Sequence, residues 1–211
     1  NNSMPLPENE KFLEKLNLEL AVPELSKFNF EINCTPQKLN GPAFENILDE
    51  VTSNWKKCQE TAKSMNARSM MIGILPMIKE GMLSLEFMSE SERYRALNDQ
   101  LFFMRDGREL DIHIQSTKDE LLLTETSLML EGAATSLQIH LQVNQESAKD
   151  FFNASLIVSA PLIAIGANSP FLYGKDLWTE TRIPAFALLF PCSALFDLRS
   201  VAYTDLTLLP C

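Results

Sequence analysis

At 211 residues, 45% hydrophobic and 22% charged, the chain is long enough for one sizeable domain and too apolar to be disordered. A net charge of −10 without any Lys/Arg run argues against a nucleic-acid surface and against anionic membrane surfaces. An enzyme of phosphorylated substrates stays open, because bound Mg²⁺ can bring positive charge.

Cys34, Cys58, Cys192 and Cys211 show no CxxC or CxxH spacing. With a polar, signal-free opening they read as reduced thiols of a cytoplasmic protein, not as a zinc site or disulfide frame. Residues 1–26 are acidic and irregular, with Pro5, Pro7 and Pro23 limiting regular structure. Residues 28–33 alternate: Phe28, Phe30 and Ile32 form an apolar face, Asn29, Glu31 and Asn33 a polar one, which predicts a strand. Asn40-Gly41-Pro42 starts a helix whose stripe Phe44, Ile47, Leu48, Val51, Trp55, Cys58, Ala62 and Met65 reads as core. Residues 70–75 predict a short buried strand, and Ser89 with Glu92 a capping box for a helix through Arg93 and Tyr94 to about Arg105. Asp106-Gly107 turns the chain into a strand over 109–115, whose polar side is Glu109, Asp111, His113 and Gln115. His113 reads as a strand histidine with one hydrogen bond.

Residues 121–130 predict a strand pairing with the stretch EGAATSLQIHLQV, residues 131–143, through the Gly132-Ala133-Ala134 turn. From Ser136 that stretch alternates Leu137, Ile139, Leu141 and Val143 against Ser136, Gln138, His140 and Gln142. The second set is made of ligand-type groups in place of the Lys, Glu and Thr of a solvated face. Residues 151–165 are apolar but interrupted by Asn153, Ser155, Ser159 and Pro161; they fall short of a membrane span and predict a buried helix, which Asn168-Ser169-Pro170 breaks. Three strands with polar faces and helices with single apolar stripes predict an α+β domain: a curved antiparallel sheet, helices on its convex side, a chemically equipped concave side.

In chain order, PELSKFNFEIN, GILP, MSESERYRALNDQ, EGAATSLQIHLQV, APLIAIGANSPFLYG and LWTETRI span residues 23–183. The ordered set resembles the glutamate–cysteine ligase family, in particular its plant and proteobacterial-type branch and the related carboxylate–amine ligases. The resemblance implies a glutamine-synthetase-like fold whose sheet curls into a half-barrel funnel. It implies ATP- and Mg²⁺-dependent joining of the glutamate side-chain carboxylate to an amine, in that family cysteine, as in glutathione biosynthesis. It also implies site residues. Glu31 matches the strand glutamate that holds metal. Gln138 and His140 match the paired polar positions where metal and nucleotide phosphates meet, and Asn168 and Ser169 line the pocket. Arg182 matches the arginine that clamps the substrate carboxylate. Glu131 is a second metal ligand or a hairpin carboxylate, and Arg93 and Tyr94 match an RY block or stitch their helix to the sheet. Against these stand plainer readings, a solvated edge residue for Glu31 and a surface ion pair for Arg182.

Two departures qualify the resemblance. The family's opening strand, with its G-x-E-x-E motif, does not occur in this sequence, and residues 186–211 do not match the further sheet and substrate-binding elements into which the family usually continues. The expectation is one ligase-like domain over 1–211 lacking its first strand, with 186–211 unassigned. A non-catalytic binding or regulatory module is the alternative, and a plain α+β domain the third. The acceptor amine stays open, as does self-association into a homo-oligomer. His140→Ala and Arg182→Ala are both expected to leave the fold intact.

Overall fold

A computed structural model describes residues 4–189. Its first helix, α1 (Asn9–Leu16), lies in the stretch expected to be irregular; Asn17, at φ 49°, ends it by donating its backbone N–H to Leu13 O. Strand β1 (Ala21–Pro23) pairs antiparallel with β2 (Phe30–Ile32), Val22 opposite Glu31. Helix α2 (Ala43–Ser64) starts where Asn40-Gly41-Pro42 places it. Apart from Ala43 at its start, its core residues lie in the C-terminal half: Cys58 and Ala62 are buried with Phe12 and Leu16 of α1, whose Phe12 ring lies 4.6 Å from that of Phe30. Phe44 and Leu48 are exposed instead, because α1 and the β1–β2 hairpin cover only the far end of the stripe.

The strand expected over 70–75 is reduced to one antiparallel bridge, Ile74 to Ala134, followed by 3-10 turns at Glu80–Met82 and Leu85–Phe87. Helix α3 (Glu92–Met104) is entered from Ser91 with no side-chain cap, so the capping box does not form. Ser89 is used elsewhere: its hydroxyl donates to Glu24 O and accepts from Asn9 Nδ2 at 2.9 Å. That amide also bonds Ser26 O and Asn29 O, tying α1 to the β1–β2 hairpin and to the entry of α3.

β3 (Leu110–Gln115) follows the Asp106-Gly107 turn and carries the predicted alternation, with Ile112 and Ile114 buried and Asp111, His113 and Gln115 exposed. His113 Nε2 lies 2.7 Å from Glu120 Oε1, the single hydrogen bond expected of it. The partner is β4 (Glu120–Glu125), in register from Leu110↔Glu125 to Gln115↔Glu120; the Ser116 hydroxyl closes the turn by accepting from the Lys118 and Asp119 amides. This corrects the expected pairing. With β4 committed to β3, the chain leaves β4 through the buried run Leu128, Met129 and Leu130 and a 3-10 turn at Glu131–Ala133. Residues 136–143 meet no partner strand among the described residues, and Leu137 and Ile139 are 84% and 57% exposed. Period-2 alternation makes a strand only where a neighbour takes its backbone bonds.

Helix α4 (Ala148–Gly166) has the expected extent but not the expected burial: only Ser159 is buried, while Phe152, Ile157, Val158 and Ile165 are exposed. By length and composition it could cross a bilayer. Strands β5 (Phe171–Leu172) and β6 (Lys175–Asp176) form a hairpin whose turn, Tyr173-Gly174, has φ of 51° and 77°, the positive pair that two-residue hairpins require. Helix α5 (Arg182–Leu189) packs on β3 and on the 131–133 turn. The expected unassigned tail therefore begins inside α5, and residues 190–211 lie outside the described residues.

The three ladders found among the described residues are two-stranded antiparallel sheets, none closed. The larger core joins Ile112 and Ile114 to Leu128, Met129, Leu130, Ile78 and Leu172. Full burial of each such side chain stabilises by about 1.5–3 kcal/mol, which pins residues 128–130 and so fixes where the following segment begins.

Candidate functional site

That following segment, EGAAT, residues 131–135, carries one polar cluster at each end. The first gathers around Glu131 and Gly132. Glu31 stands opposite Val22 in the β1–β2 ladder, so Glu24, two residues further along, is its diagonal neighbour on the same face. Burial first, and then the charge and carboxyl of the neighbouring Glu31, raise the Glu24 pKa against the opposing Leu25 N–H and Arg93. Tyr94, from the first turn of α3, donates to Pro23 O at 3.1 Å. It is pushed up to about 12 by burial and by Glu24, Glu31 and Glu131, with Arg93 opposing. Three carboxyls, one guanidinium and one phenol thus share a half-buried corner. Gly132 seals it: its carbonyl accepts from Ser26 Oγ at 3.0 Å and Asn29 Nδ2 at 2.8 Å, and a Cβ there would collide with Ser26 Oγ.

The second cluster surrounds Arg182. Its Nε and Nη2 donate to Glu180 Oε1 and Oε2, both at 2.6 Å, and its Nη1 donates to Thr135 O at 2.5 Å. Glu180 also accepts from Ser169 Oγ. Its pKa is lowered: burial pushes it up, but the Arg182 and Ser169 hydrogen bonds and the Arg182 charge outweigh that. Backbone bonds zip the two segments together, Ser169 N to Thr179 O at 3.3 Å and Thr181 N to Ser169 O at 3.1 Å. A Cβ on Gly73 would lie 3.1 Å from Arg182 Cζ and would strike Asn168 Oδ1, so the missing side chain at 73 is what lets the guanidinium lie against that backbone. Beside Glu180 opens a cleft of about 690 Å³ walled by Ile163, Ala167, Leu177 and Trp178.

Of the residues singled out in the sequence, Glu31, Glu131, Arg93 and Tyr94 come together in the first cluster, Asn168, Ser169 and Arg182 in the second. Gln138 and His140 join neither: both are exposed, His140 Nε2 lies 3.4 Å from Gln138 Oε1, and neither hydrogen-bonds Glu31. Sequence reading missed Glu24 and Glu180, although each stands inside a quoted block, PEL and TETRI. It also missed a third buried group. Glu125, at the end of β4, is pushed up to about 7 by burial and then by Glu80, with Arg105 opposing. Next to it the buried Tyr173 hydroxyl has no hydrogen-bond partner among the described residues.

Among the described residues no three His, Cys, Asp or Glu side chains converge as a metal cluster. Glu24 and Glu31 still fit a hard cation as a pair: they are diagonal neighbours on one face of the β1–β2 hairpin, and Mg²⁺ commonly uses one or two carboxylates, the rest being water and phosphate.

Compared with known proteins, residues 7–193 match the family model described as glutamate-cysteine ligase family 2. No curated protein and no solved structure matches the chain.

Proposed function

The chain belongs to glutamate–cysteine ligase family 2, and from that ligase membership we propose that it joins the side-chain carboxylate of glutamate to an amine, cysteine or another, using ATP. The observation that carries the reading is a convergence: segments far apart in sequence, around residues 24–31, 73, 93–94, 131–135, 168–169 and 180–182, meet in two polar clusters joined by EGAAT. A carboxylate is a poor electrophile. ATP first phosphorylates it, one carboxylate oxygen taking the γ-phosphoryl group as ADP leaves; the amine nitrogen then attacks the acyl carbon, phosphate departs, and the ammonium proton is lost. Such chemistry asks a protein mainly to position groups and neutralise charge.

In this proposal Arg182 holds a carboxylate of the amino-acid substrate through directed N–H donors. Glu24 and Glu31, with Glu131 beside them, hold Mg²⁺, which when bound supplies the charge that neutralises the nucleotide phosphates. Gln138 and His140 belong to the proposal as nucleotide contacts offered from the exposed segment beyond Thr135, and Asn168 as a pocket neighbour of Arg182. The half-barrel funnel is part of the same proposal, the three antiparallel ladders being pieces from which such a sheet is built.

The test is ADP release by the full chain with Mg²⁺-ATP, glutamate and a panel of amines that includes cysteine. Turnover dependent on both glutamate and amine is expected. No turnover above background with any amine sinks the proposal.

A further inference from the structure

We propose that Glu180 is a positioning residue for this reaction: it holds the plane and heading of the Arg182 guanidinium so that the arginine meets a substrate carboxylate with its donors already aimed. The inference rests on the reading of Arg182 as the carboxylate-binding group. Arg182 is the first residue of α5, where the positive end of the helix dipole repels a cation, so an arginine there would turn outward unless something retained it. The fork with Glu180 retains it: two bonds of 2.6 Å fix the plane of the guanidinium, and the bond to Thr135 O at 2.5 Å fixes its far side.

Glu180 can act as a fixed point because it is itself fixed. It is 8% exposed, accepts from Ser169 Oγ, and its backbone is bridged to that of Ser169. Displacement of Glu180 by a substrate carboxylate would strand a buried charge without its partner. Glu180 therefore stays in place as substrate binds, and is not a latch that substrate removes. Pairing also cancels the net charge of the arginine, so recognition comes from directed donors more than from long-range attraction.

Glu180→Gln in the full chain, with glutamate affinity measured by calorimetry and KM measured for glutamate and for ATP, tests this. Gln offers the fork one acceptor and one clashing donor. Glutamate affinity is expected to fall about 10- to 100-fold, the scale of a misaimed binding group, with KM for ATP unchanged and Glu180→Asp intermediate. Glutamate binding equal to or tighter than the parent's overturns the proposal; so does an equal loss for glutamate and ATP, which marks a structural role only. If Glu180→Gln does not fold, Ser169→Ala removes one anchor of Glu180 and keeps the ion pair. It is expected to weaken glutamate binding in the same sense, about two- to fivefold, and an unchanged affinity overturns the proposal. A parent protein that neither binds nor turns over glutamate refutes the assigned reaction itself, a result distinct from any of these.

Discussion

Gly73→Ala puts the packing around Arg182 to a quantitative test. Gly73 is buried and does not have a positive φ, so its backbone suits alanine. On that ground alone the change would stabilise by about 0.4–1 kcal/mol, through the smaller entropy of the unfolded chain. Space decides the opposite sign. The new methyl would lie 3.0 Å from Ser169 Cβ and 3.1 Å from Arg182 Cζ, where carbon atoms rest at about 3.5–4.0 Å. The exposed Asn168 side chain can swing away cheaply. Arg182 cannot, because Glu180 and Thr135 hold its guanidinium, and Ser169 is zipped to the 179–181 segment. Overpacking of this kind costs about 1–3 kcal/mol, leaving a net loss of roughly 1–2 kcal/mol. For a chain of this size the loss corresponds to a Tm drop of about 2–8 °C. Thermal melts followed by circular dichroism, with urea midpoints beside them, measure it. An unchanged or higher Tm would refute the account of why residue 73 carries no side chain.

Stability should fall as pH rises from about 5 to 8. Glu125 has a folded pKa of about 7 against an ordinary 4.5, so the fold favours its protonated form and loses on the order of 2–3 kcal/mol as that proton leaves. Urea titrations across this range should show the slope, and Glu125→Gln should flatten it. Asn9→Ala removes an amide that serves Ser26 O, Asn29 O and Ser89 Oγ and should cost about 2–3 kcal/mol, read as a lower urea midpoint with unchanged slope. Arg182→Ala should lower Tm as well as activity, since it strands the buried Glu180 carboxylate, a loss of about 3–5 kcal/mol; the expectation drawn from sequence alone was an intact fold. His140→Ala should leave Tm within about a degree, as an exposed substitution does.

Helices α2, α3 and α4 were legible because their signals are local: Asn40-Gly41-Pro42 starts α2, Asp106-Gly107 ends α3 and Asn168-Ser169-Pro170 follows α4, each by backbone chemistry that needs no distant partner; α1 and α5, in stretches expected to be irregular or unassigned, were not. β3 was legible for a related reason, since one buried face and one solvated face suffice to write Leu110, Ile112 and Ile114 at every second position. Pairing was not legible. Residues 121–130 and 136–143 are apolar enough to pair, and nothing local says that β4 takes β3 through the Ser116 turn. Burial misled in the same way. The composition of α4 fits a core helix, yet most of that helix faces outward, because apolar content does not name the surface that would cover it. Within the site, Arg182 stood out as a type suited to carboxylates. Glu180 and Glu24 read as ordinary acidic residues, and only the folded chain brings them against Arg182 and Glu31.

The five residues of EGAAT act as a ruler between the two clusters. Three of them are wound in a 3-10 turn, at about 2.0 Å per residue, and the remaining steps cannot exceed about 3.5 Å each. The backbone path from residue 131 to residue 135 is therefore no more than about 11 Å. The points at which the two clusters grip this segment are therefore within about 11 Å of each other along the chain. Both ends of the ruler are bolted, Gly132 by Ser26 and Asn29, Thr135 by Arg182 and by its hydroxyl bond to Ile72 O. A single glycine inserted between Ala133 and Ala134 would add up to about 3.5 Å and throw the two clusters out of gauge while leaving every side chain in both of them unaltered.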